Sequence, residues 1–133
     1  MAASPQFVGT ARNATVKLVN ASGTTAQTLL TMSAAGGLIE SLFLSSNDTT
    51  SRNLTILLGD GTTDVLIDTV TIPAATAARP VVQVALMDPY RWAWLDPNNV
   101  KWVLAAARVV KARMESAVSA SAETSVIANY GEF

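Results

Sequence analysis

Residues 54–58 (LTILL) and 65–72 (VLIDTVTI) bracket the stretch Gly59-Asp60-Gly61-Thr62-Thr63-Asp64. Two β-branched and aliphatic runs around a Gly-Asp-Gly turn are what a β-hairpin requires: glycine tolerates the backbone angles of a tight reversal, and the flanking side chains suit a pleated chain. Pro73 closes the second run, since proline has no N–H to give to a ladder. An isolated hairpin is marginal in water and needs further strands and a covered face. The rest of the chain must therefore supply strands.

It does so in short pieces. Residues 14–20 (ATVKLVN) alternate, with Val16 and Leu18 on one side and Lys17 and Val19 on the other, until Ala21-Ser22-Gly23 breaks the run. Residues 24–33 fit either a short strand or a helical turn, and threonine favours the strand. Residues 37–46 (GLIESLFLSS) form the clearest strand of the first half. Strict alternation puts Ile39 and Phe43 on one face and Leu38, Glu40, Leu42 and Leu44 on the other; two largely apolar faces imply a central strand. Residues 81–86 are another short strand. Residues 90–95 (YRWAWL) read as extended, with Trp92 and Trp94 on one side. Asp96-Pro97-Asn98-Asn99 is a turn.

Residues 100–115 have two readings. Their Ala, Lys and Arg content suits a helix capped by Asn98 or Asn99. The alternative is two strands, 100–104 and 109–115, joined through Ala105-Ala106-Ala107. The alternation of Val109, Lys111 and Arg113 with Val110, Ala112 and Met114 favours the strands. After a small-residue loop at 116–122, residues 123–133 (ETSVIANYGEF) form a final strand.

Seven or eight short strands with frequent turns predict an all-β fold, a jelly-roll-like β-sandwich. With 133 residues the chain is one domain. Residues 1–6 (MAASPQ) read as a flexible N-terminal arm that Phe7 and Val8 could dock, and residues 7–133 as the sandwich. Period-2 placement predicts a core of Val16, Leu18, Ile39, Phe43, Leu54, Ile56, Val65, Ile67, Val70, Val82, Val84 and Val126.

Composition narrows the function. The chain has no histidine and no cysteine, half of it is hydrophobic, and only 14% is charged. The commonest general base, the soft metal ligands and the thiol nucleophile are all missing. The lack of cysteine fits assembly inside a cell and argues against a small disulfide scaffold. A net charge of −1, with nine scattered Lys and Arg residues, predicts no nucleic-acid partner; the densest basic group is Arg108, Lys111 and Arg113. Mean hydropathy is high at +0.32. No window approaches the ~18 uninterrupted apolar residues of a membrane span, and residues 1–8 do not read as a signal peptide. The excess apolar surface must be buried in the core or between subunits.

No motif points to catalysis. Gly59-Asp60-Gly61 with Asp64 and Asp68 lacks the longer ligand ladder and closing glutamate of an EF-hand, which leaves a hairpin turn. The ten acidic residues include no distinctive pair for glycoside hydrolysis. Lys17, Lys101 and Lys111 lack Ser-x-x-Lys spacing, so no Ser–Lys dyad is indicated. Three Asn-x-Thr matches, at Asn13, Asn47 and Asn53, are expected by chance in a Thr-rich chain. The chain reads as a non-enzyme without a cofactor or bound metal. Tyr90, Trp92, Trp94 and Trp102 cluster within a short stretch, and with Phe7 they are the candidate interface residues. Aromatics at this density serve as core, as subunit anchors or as a sugar platform.

The hairpin Leu57-Leu58-Gly59-Asp60-Gly61-Thr62 and the chain end Val126-Ile127-Ala128-Asn129-Tyr130-Gly131-Glu132-Phe133 resemble a group of small tailed-bacteriophage virion proteins, which often finish in an Ala-x-x-Gly-Asp/Glu-aromatic tail after a β-sandwich. The likeness spans residues 37–133, and residues 90–107 depart from it in being longer and more aromatic. The resemblance implies a structural component of the particle, a capsid decoration or cement protein that bridges capsid subunits and stabilises the head. It implies the major capsid protein as partner, a place on the capsid surface of the virion, and assembly in the host cytoplasm. Self-association follows from the surplus apolar surface, with a homotrimer suited to local three-fold positions of a shell. A tail or head–tail connector component, or a carbohydrate-binding module of a host-recognition fibre, remain the alternatives.

Overall fold

A computed structural model describes residues 9–133. The predicted arm at 1–6, and Phe7, lie outside the described residues. Within them the chain forms β1 (Thr10–Val19), a short 3-10 turn (Asn20–Ser22), β2 (Gln27–Thr31), β3 (Gly37–Ser46), β4 (Arg52–Gly59), β5 (Asp64–Ile72), β6 (Val82–Ala85), β7 (Trp102–Leu104), β8 (Val109–Met114) and β9 (Glu123–Glu132). No helix among them is long and apolar enough to cross a membrane. Residues 100–115 resolve as strands β7 and β8, and the ambiguous stretch 24–33 contains β2.

The strands make two antiparallel sheets. One has the order β1-β9-β3-β6, with the short β7 also pairing β3; the other has the order β2-β8-β4-β5. β6 meets residues Phe43 to Ser46 of β3 and β7 meets Gly37 to Ile39, so together they line one edge of that strand. The pairings reveal the wrapping. β1 pairs β9, β2 pairs β8, β3 pairs β6 and β7, and β4 pairs β5. The chain is one long antiparallel ribbon, folded back at the β4–β5 hairpin and rolled so that successive strand pairs alternate between sheets. That is a jelly roll.

The hairpin turn is stabilised as its residues suggest. Asp60 N–H donates to the Thr63 carbonyl (3.2 Å), and Gly61 sits at φ +100°. The Asp60 carboxylate accepts the Thr63 N–H (2.8 Å), the Thr62 N–H (2.9 Å) and the Thr62 hydroxyl (3.0 Å). These donors, the Thr63 amide first, hold its pKa at about 2.

The core lies between the sheets. Leu18, Ile39, Leu54, Ile56, Val70, Val82 and Val126 are buried there as expected, and Val16, Ile67 and Val84 pack against them from the margin. Two expected core residues differ. Phe43 is half-buried on the outer face of its sheet, because the β3–β9 register shifts between Ile39 and Ser41 and leaves Glu40 as an extra residue. That bulge places Ile39, Leu42 and Leu44 together on the inner face. Val65 is 57% exposed. It stands near the start of an edge strand, where a second bulge at Ile67 has shifted the pairing, with Leu66 opposite Leu57 and Asp68 opposite Ile56.

Candidate functional site

The connection between β6 and β7 carries three of the eight aromatic residues, Tyr90, Trp92 and Trp94, and leads directly into Trp102. The expected extended run at 90–95 is instead a pair of tight turns. Asp88-Pro89 starts the first, Leu95 N–H closes the second on the Trp92 carbonyl (3.0 Å), and Asp96-Pro97 turns the chain again just beyond. Aspartate at the first position and proline at the second specify a turn, not a strand. Asp88 accepts the Tyr90 N–H on its side chain (2.9 Å) and the Trp92 N–H on its carbonyl (2.8 Å). Asp96 does the same for Asn98 (side chain, 2.9 Å) and Asn99 (carbonyl, 3.1 Å).

The turns break the alternation of the tryptophans. Trp92 is 3% exposed and Trp102 4%, whereas Trp94 is 53% exposed and Tyr90 91%. The three indoles still touch. Trp92 stacks on Trp94 with centroids 5.3 Å apart, and Trp102 meets Trp92 edge-on at 5.4 Å. Each such pair adds about 0.5–1.5 kcal/mol beyond area burial.

Asp68 on β5 anchors the cluster across the gap between the sheets. Its carboxylate accepts the Trp92 Nε1–H (2.9 Å) and the Arg91 guanidinium (2.7 Å), which also donates to the Thr69 carbonyl (2.8 Å). The β6–β7 connection thus closes the side of the sandwich where β5 and β6–β7 form the sheet edges. Against it lies a groove of about 460 Å³, lined by Leu58, Ile67, Trp94, Lys101, Trp102 and Val103. Val103 is 65% exposed, and Val65, paired opposite Leu58, extends the apolar surface at the groove mouth. Lys101 is the one charged side chain of the lining. A sugar site needs several placed hydrogen-bonding groups beside its aromatic face; this lining suits an apolar protein side chain better.

Two further acidic residues are engaged by the fold. Asp64 pairs with Lys111 at 3.2 Å. Asp48 is buried at the far end of the sandwich and accepts the Thr50 N–H (2.9 Å), the Arg52 Nε–H (3.0 Å), the Ser119 N–H (3.0 Å) and the Ser119 hydroxyl (2.7 Å). Burial alone would raise its pKa, but the Ser119 donors lead a set that outweighs burial and lowers it from 3.8 to about 2. Four donors on one carboxylate make a clasp between the β3–β4 and β8–β9 connections. Nothing in the sequence around Asp48 singled it out, because Ser119 lies 71 residues away. No group of three or more His, Cys, Asp or Glu among the described residues is arranged to hold a metal ion.

Of the five candidate interface residues, the structure brings Trp92, Trp94 and Trp102 together, splits them between core and surface, and leaves Tyr90 on an exposed turn. The groove itself was missed, because Leu58 and Ile67 reach it from the opposite sheet.

No protein-family model matches the chain, and no curated protein matches it. Among solved structures, one match is a chain of the cyanophage Pam1 capsid asymmetric unit, at 16% identity and a TM-score of 0.47, covering 100% of this chain and 92% of that one.

Proposed function

We propose that this protein is a non-enzymatic structural component of a bacteriophage particle, a decoration or cement protein that binds the major capsid protein on the outside of the head. The sequence resemblance of the 57–62 hairpin and the 126–133 chain end supports the class. One structural observation carries the mode of action: large apolar side chains, Val65, Trp94 and Val103, stand exposed around a groove on a low-charge jelly roll whose buried carboxylate is consumed by structural hydrogen bonds. An exposed apolar patch of this kind marks a surface for contact with another protein. A cement protein works by adding buried area across subunit seams, on the order of 1,600 Å² per standard interface. Many copies around a closed shell turn modest affinity into strong stabilisation. Self-association into a homotrimer matches local three-fold positions.

Co-sedimentation with purified shells that lack the protein tests this reading. Saturable binding in amounts comparable to the major capsid protein, with a raised temperature of shell disruption, is the expected result. Binding limited to a single ring of copies per particle would make it a connector or tail part instead. Failure to bind shells at all would sink the cement reading.

A further inference from the structure

The groove beside Trp94 lies at one edge of the five-stranded sheet, and the chain enters that sheet at the other. Thr10 pairs with Glu132, Glu132 with Gly37, and Gly37 with Leu104, so these four residues form one row across β1, β9, β3 and β7. Gly9 sits at the β1 end of the row, its N–H donating to the Glu132 carbonyl at 2.8 Å. Val103, next to Leu104, is three strand spacings away, about 14 Å at about 4.8 Å each. The groove lies at and beyond that far edge. The Cα of Phe7 can be no more than about 7 Å from that of Gly9, two residues at about 3.3–3.6 Å each. Even with its side chain extended across the sheet, Phe7 could come no deeper than the near rim of its own chain's groove.

The segment before Gly9 has suitable chemistry. Residues 1–8 (MAASPQFV) contain no charged side chain, and the bulky Phe7 and Val8 immediately precede Gly9 in the sequence. The side chains lining the groove are aliphatic and aromatic except for the charged Lys101, and about 460 Å³ is ample room for a bulky side chain.

The geometry points to a head-to-tail contact in which Phe7 of one copy, with Val8 beside it, fills the groove of a second copy between Trp94, Val103 and Ile67. Donor and acceptor lie on opposite edges, which suits a heterologous contact in which each copy gives its Phe7 to one neighbour and receives that of another. Such contacts form rings when the rotation closes, which deepens the trimer proposed above. The inference rests on that self-association and not on capsid binding. An aromatic anchor in a preformed pocket is the usual centre of binding energy.

Sedimentation velocity on full-length variants tests it. Trp94 is 53% exposed, and retained far-UV circular dichroism with a cooperative thermal melt of Phe7→Ala and Trp94→Ala verifies that each still folds. Each variant alone should associate at least tenfold more weakly than the parent. An equimolar mixture should regain a two-subunit species, because the Trp94→Ala copy keeps its Phe7 and the Phe7→Ala copy keeps its groove, and this species should not close into a ring. Phe7→Ala assembling as well as the parent would overturn the proposal and point to a groove-to-groove contact. A mixture that stays monomeric, or a parent protein that is monomeric at tens of micromolar, would also overturn it. Loss of shell binding by an intact ring would instead count against the cement reading alone.

Discussion

At the scale of single residues, exposure and hydrogen bonding separate side chains that look alike in sequence. Trp92 and Trp94 are two positions apart, yet Trp92 is buried and bound to Asp68 while Trp94 opens onto the groove. Trp92→Ala should cost about 3–5 kcal/mol of stability, and Trp94→Ala less, about 1–2 kcal/mol, since it is half-exposed but stacks on Trp92. Denaturant titration decides between them, and equal losses would contradict the placement. Asp48 makes a pH prediction. Its folded pKa of about 2 lies below the ordinary 3.8, so the stability it lends is fully present above the unfolded value and is lost as pH falls toward the folded one. The shift corresponds to on the order of 2 kcal/mol. Asp48→Asn should therefore lower the melting temperature by roughly 5–10 °C at pH 7. The deficit relative to the parent should shrink between pH 5 and pH 2, as thermal melts across that range would reveal; a deficit independent of pH would exclude the clasp. Nothing local announced Asp48, since its main partner comes from a distant loop, whereas Asp60 was legible because its donors are its immediate neighbours.

The elements were legible wherever period-2 alternation ran unbroken. β3 occupies the expected residues 37–46, and the alternation of 109–114 decided correctly for a strand over a helix. Errors arose at bulges and at Asp-Pro turns, which alternation does not encode. Leu29, Glu40 and Ile67 are extra residues in the pairings of β2 with β8, β3 with β9 and β5 with β4. Each changes which neighbours face inward: with Leu29 as an extra residue, both Leu29 and Leu30 are buried. The β3 bulge has a simple consequence. Without Glu40, Ile39 faces in, Ser41 out and Leu42 in, which is plain alternation, so no side chain changes face. Deleting Glu40 should leave a folded protein within about 2 kcal/mol of the parent, because only bulge geometry is lost. A dispersed amide NMR spectrum is the expected readout. A collapsed spectrum would mean that the bulge itself is needed, to seat Ile39 opposite Trp102 on β7.

Across the whole molecule, sequence reading recovered the jelly-roll-like sandwich but not which strands pair, because the decisive pairings join residues far apart. Thr10 meets Glu132 and Val16 meets Val126, contacts that no local pattern predicts. The one pairing read from sequence, the β4–β5 hairpin, is also the one place where the ribbon turns back on itself. This ordering bears on folding. A hairpin closes in about 1–10 μs, but β9 sits between β1 and β3 and contributes the fully buried Val126 and Ala128, so the larger sheet cannot form until the last strand arrives. Folds dominated by such non-local strand pairs fold in milliseconds to seconds. Stopped-flow refolding, followed by the fluorescence of buried Trp92 and Trp102, should show a main phase in that range. A protein ending at Ala122 should show no such phase and no cooperative melt, having lost the strand that joins first to middle. A native-like signal regained in under a millisecond, or cooperative unfolding of the shortened chain, would mean that the smaller sheet with its hairpin folds on its own and that β9 only docks afterwards.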